Sequence, residues 1–74
     1  MAPHETARLL AAAAQEQALA AQNRAYARAM DETATRTNGR LGSLHAPKTY
    51  AAHLASEARH LARAAELRHQ ATQG

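Results

Sequence analysis

Alanine and leucine recur along this chain at helical spacings, and the pattern is broken once, at Thr37-Asn38-Gly39-Arg40-Leu41-Gly42-Ser43. Asn-Gly tolerates the left-handed conformation that ends a helix, so Asn38 or Gly39 reads as a C-terminal cap. Pro47 follows shortly and suits the first turn of a new helix, where its missing N–H costs nothing. The pattern therefore predicts a helix over about residues 4–37, a loop over 38–46 and a second helix over about 47–73. Two long helices joined by a short connection are antiparallel neighbours. The expected fold is all-α: one domain, an antiparallel two-helix hairpin over 1–74, completed to a four-helix arrangement by dimerisation or by docking on a partner.

The second predicted helix has a clean apolar side. At about 100° per residue, Tyr50, Ala51, Leu54, Ala55, Ala58, Leu61, Ala62 and Ala65 share about 140° of arc. His53, Ser56, Arg59, His60, Arg63 and Gln70 lie opposite, and only Leu67 falls out of place. The first helix carries two arcs. One holds Leu9, Ala12, Leu19, Tyr26, Ala27 and Met30, interrupted by Glu16 and Asn23. The other is alanine alone, at 7, 11, 14, 18, 21, 25 and 29. Two apolar arcs imply two neighbours, and a single hairpin supplies one.

Counting outward from the turn sets Met30 level with Leu54, Tyr26 with Ala58 and Leu19 with Ala65, so that large residues meet small ones. The internal seam is expected at Leu19, Tyr26, Met30, Tyr50, Leu54 and Leu61. In that register the first helix is longer by about 10 Å and leaves Leu9 and Leu10 overhanging. The expected partner-binding face is Ala14, Ala18, Ala21 and Ala25 together with Leu9 and Leu10.

Composition strengthens this picture. The chain is 46% hydrophobic, but 22 of those residues are alanine, with eight Leu, two Met, two Tyr and no Val, Ile, Phe or Trp. Lacking β-branched aliphatics, it is a poor sheet former and a strong helix former. Eight leucines are a thin core for ordering 74 residues, and a chain without Cys has no disulfide to help. A homo-oligomer or a larger protein partner is the expected remedy.

No apolar run approaches a membrane span, and an alanine-rich face binds bilayers weakly, so no membrane association is expected. The start lacks a secretory pattern and carries Glu5 and Glu16 early, unlike a transit peptide; with no Cys, a cytoplasmic protein is expected. Eight Arg against one Lys, with so much alanine, point to GC-rich coding bias and a bacterial or phage source.

Charge suggests an alternative partner. The net +3 falls entirely in residues 39–74, and Arg59 and Arg63 stand one turn apart on the polar side of the second helix. With Arg40 and Lys48 they form the candidate nucleic-acid contact set. Acidic interruptions at Glu57 and Glu66 and the absence of interleaved aromatics weaken it. A helix-turn-helix is excluded by the long loop and the missing third helix.

Glu57-Ala-Arg-His60 and Glu66-Leu-Arg-His69 both match Glu-x-x-His, which helical di-metal sites combine with further glutamates. Glu66 and His69 are the better aimed in the sequence register, with Glu16 level with residue 68. Short patterns of this kind match by chance, so no metal and no cofactor is assigned. His53, Glu57 and His60 make another such triad, expected on a solvated face. Ser43 and Ser56 have no nucleophile setting, and an enzyme is not expected.

Overall fold

A computed structural model of the chain describes residues 2–36 and 46–73; the cap expected at Asn38 or Gly39, and the loop residue Arg40, lie outside them. Two helices, α1 (Pro3–Arg36) and α2 (Ala46–Thr72), pack as an antiparallel hairpin in a rod of 54 × 15 × 11 Å. Among the described residues there is no strand. No helix there is long and apolar enough to cross a membrane.

The start of α1 follows from local chemistry. The Ala2 carbonyl accepts the backbone N–H groups of Glu5 (3.0 Å) and Thr6 (3.1 Å), closing the first turn. Pro3, having no N–H to lose, occupies the first helical position, and Glu5 sits where the helix dipole favours a negative charge.

The seam between the helices has a three-four spacing. On α1 the buried residues Ala13, Ala20 and Ala27 alternate with half-buried Leu9, Glu16, Asn23 and Met30. On α2 the sequence runs Tyr50, His53, Glu57, His60, Ala64, Leu67 and Ala71, with the last three buried. Spacings of three and four in alternation keep one stripe of each helix facing its partner. Ala13, Ala64 and Leu67 form the hydrophobic core, with Leu9 and Ala12 packed against it.

This seam corrects the sequence expectation in three respects. On α2, His53, Glu57, His60 and Ala64 each stand one residue before Leu54, Ala58, Leu61 and Ala65, so the helix is rotated by about 100° from its apolar side. Leu61 is 44% exposed, and Leu67, the residue that fitted the pattern worst, is buried. On α1, Ala13 and Ala20 belong to neither predicted arc, and Tyr26, expected in the seam, is 50% exposed. Finally, Glu16 pairs with His60, eight residues before the residue 68 expected level with it, while Arg68 reaches the neighbouring Gln17 through its long side chain. Pro3 then comes roughly level with Thr72, and α1 overhangs at its loop end, past Met30, not at Leu9 and Leu10.

The cause lies in the two polar residues of the α1 arc. Facing leucines and alanines, Glu16 and Asn23 would lose water without gaining a hydrogen bond, a costly exchange. Rotated as observed, α2 offers each an imidazole.

Candidate functional site

Three cross-helix contacts hold the middle of the hairpin. His60 Nδ1 donates to Glu16 Oε2 at 2.5 Å, with both side chains about one-quarter exposed. One heptad along, His53 Nδ1 donates to Asn23 Oδ1 at 3.1 Å, while Asn23 Nδ2 donates to the Leu19 carbonyl at 3.0 Å. The Asn23 side chain thus joins α2 to the backbone of α1. Between them, Arg24 Nε donates to Glu57 Oε2 at 2.8 Å. That hydrogen bond, and then the carboxylate charge, hold the exposed Arg24 guanidinium above the usual arginine range. The Tyr26 ring leans on His53 with centroids 5.2 Å apart, and its hydroxyl accepts from Gln22 Nε2 at 3.2 Å.

These contacts reassign the polar motifs. Glu57 and His60, expected on a solvated face, are the Glu-x-x-His pair that faces α1. Glu66 and His69 are exposed and serve their own helix: Glu66 accepts from Gln70 Nε2, and His69 Nε2 accepts from Gln73 Nε2. Glu16 therefore does not join Glu66 and His69. Among the described residues no three His, Asp or Glu side chains converge as metal ligands.

The two broad sides of the hairpin are chemically unlike. Arg68 Nη1 donates to Gln17 Oε1 at 3.1 Å across one of them. Residues seven apart share a side, so Leu10, Gln17 and Arg24 on α1 line this side with Leu54, Leu61 and Arg68 on α2. Just outside each row comes a row of exposed alanines, Ala7, Ala14 and Ala21 on α1 and Ala51, Ala58 and Ala65 on α2. The other side carries Leu19 and Tyr26 with Ser56, Arg63 and Gln70.

The expected partner-binding residues are divided by this geometry. Leu10, 47% exposed, lies on the apolar side with Ala14 and Ala21. Ala18 and Ala25 are exposed but stand further round, toward the back of α1. Leu9 is half-buried against Ala13 and Leu67, so it belongs to the seam and is not a free overhang. Leu54, Ala58, Leu61 and Ala65 are surface candidates that the sequence pattern does not reveal, because on α2 alone they form the apolar arc expected to face inward. Of the nucleic-acid set, Lys48, Arg59 and Arg63 are exposed, with Arg63 on the polar side. The depressions lined by Arg28, Asp31, Glu32 and Arg36, and by Glu5, Arg8, Leu9 and Ala12, are shallow and open to solvent. No family model, curated protein or solved structure matches this chain.

Proposed function

We propose that this chain is a non-enzymatic interaction module, a small adaptor, inhibitor or assembly subunit that completes its fold by laying its apolar side on another helical surface. The observation that carries this reading is the placement of leucine. Among the described residues only Leu67 is buried, whereas Leu10 and Leu61 are 47% and 44% exposed on the side that also presents both alanine rows. The titratable residues that attract attention as chemistry, Glu16, Glu57 and His60, are engaged in joining the helices.

The test is whether the hairpin is self-sufficient. Diluted to about 1 μM, it is expected to be marginally folded, and to gain stability with concentration or with a helical partner, as linkage requires. Ala21→Glu and Leu61→Glu should remove that gain and leave the dilute chain's helicity nearly unchanged. A dilute chain that melts cooperatively, indifferent to concentration and to both substitutions, has no need of a partner and refutes the reading.

A second reading, nucleic-acid binding, is favoured by Arg59 and Arg63, which stand one turn apart on α2 and are both exposed. It requires binding that weakens steeply with salt and drops when both arginines become Gln. Salt-insensitive or absent binding to DNA and RNA ends it.

A further inference from the structure

We infer that the occupant of the apolar side is a second copy of this chain, docked with a two-fold axis along the helices to form a symmetric four-helix bundle. The inference rests on that side being an interaction surface, and it adds the partner and its register.

The register is taken from the seam pairs Glu16–His60 and Asn23–His53, which bridge the helices at one common offset, whereas Arg24–Glu57 and Gln17–Arg68 join residues further apart along the axis through the long arginine side chains. A two-fold axis along the helices keeps every residue at its own height and sets α1 of one copy over α2 of the other. Ala14 then falls opposite Leu61 of the second copy, Ala21 opposite its Leu54, and Leu10 opposite its Ala65. The polar members of the same rows obey the same rule. Gln17 meets Ala58, Arg24 meets Ala51 and Arg68 meets Ala7. Leu10, Gln17, Arg24, Leu54, Leu61 and Arg68 therefore each face an alanine across the interface, although alanine makes up only 22 of the 74 residues. The alanines permit close approach, and the arginine stems can lie along them with the charged heads at the rim.

Size agrees. The two-helix part of that side, about 40 Å long over α2 and 15 Å wide, presents about 600 Å², or about 1,200 Å² for both copies, the lower end of specific, stable interfaces. The arrangement also provides an isologous interface, in which the same patch serves on both copies. A larger protein would need to bring alternating long and small residues of its own; this chain already carries them in matching register.

Sedimentation equilibrium on the purified chain and on size-swap variants tests the geometry, with circular dichroism as a check on helicity. The wild-type chain should sediment at twice 7.9 kDa. Ala14→Leu alone should weaken the dimer by about tenfold through overpacking, and Leu61→Ala alone should weaken it by removing the knob. The double variant, which restores one large and one small residue at the contact, should recover most of the loss. A dimer that neither single change weakens, or that the double variant does not rescue, overturns this register. A wild-type chain still monomeric at about 0.5 mM overturns the second copy as occupant. If that monomer is marginally folded, the interaction-module reading stands without it; if it is stable and indifferent to Leu61→Glu, both fall.

Discussion

The two ends of the hairpin seam are held by different physics. Toward the chain termini, Leu9, Ala12, Ala13, Ala64 and Leu67 exclude water through shape alone. Toward the loop, the same stripe carries Glu16–His60 and Asn23–His53, with Arg24 reaching Glu57 from its exposed edge. Apolar burial is strong and indifferent to orientation, so it stabilises any rotation of α2 that hides Leu67. Hydrogen bonds contribute little net stability but exact a penalty when a buried partner is missing, so they select among rotations. The apolar end stabilises the pair, and the polar end chooses its face and register.

Substitutions at the two ends should separate these roles. The largest effect is expected at Leu67, which is 5% exposed and, among the described residues, the only large side chain in the buried core. Leu67→Ala should cost about 2–3 kcal/mol in a denaturant or thermal melt, enough to unfold a hairpin this small. A loss below about 0.5 kcal/mol would place the stabilising contacts elsewhere.

At the polar end the informative experiment is a double-mutant cycle on Glu16 and His60. Glu16→Leu alone should cost about 1 kcal/mol, because His60 loses its acceptor in a half-buried seam. Glu16→Leu with His60→Leu should regain that stability or exceed it, since a matched apolar pair replaces a buried polar one without an unpaired group. The same double variant should lose specificity of rotation, seen as more than one spin-label distance between the helices where the wild type shows one. Single costs that merely add, with one sharp distance retained, would mean that this pair does not set the register.

The smallest effect is expected at Arg24, which is exposed although its hydrogen bond to Glu57 is well formed. Arg24→Gln should leave the melting curve almost unchanged, and any remaining difference should vanish near 1 M salt, where the Debye length is only about 3 Å. A loss that persists in high salt would show Arg24 acting through packing, as it would in the proposed dimer.

The helices themselves were legible from sequence, and so was the hairpin. Alanine, leucine, arginine and glutamine favour the helical backbone whatever surrounds them, and the break near Asn38-Gly39 with Pro47 beyond it marks two helices. The seam was less legible for a specific reason. An apolar arc on α2 centred near Leu54, Ala58 and Leu61 looks like an interior when the helix is considered alone. Glu16 and Asn23 looked like flaws in the α1 arc, because one helix cannot show that its polar residues have partners. Ala13 and Ala20 carried no signal at all in a chain so rich in alanine.

What the sequence determined by itself is local: which segments are helical, where they stop, and that there is too little bulky side chain for one hairpin to bury. Each of these follows from backbone propensity and side-chain volume, which are properties of residues taken singly or in short windows. Only the tertiary structure decided which stripe of each helix turns inward, at what register, and therefore that both apolar rows emerge on one side. Those outcomes depend on matching Glu16 to His60 and Asn23 to His53 across 44 and 30 residues of chain. A hydrogen bond is worth little until both of its partners are positioned, and no window along one helix contains both.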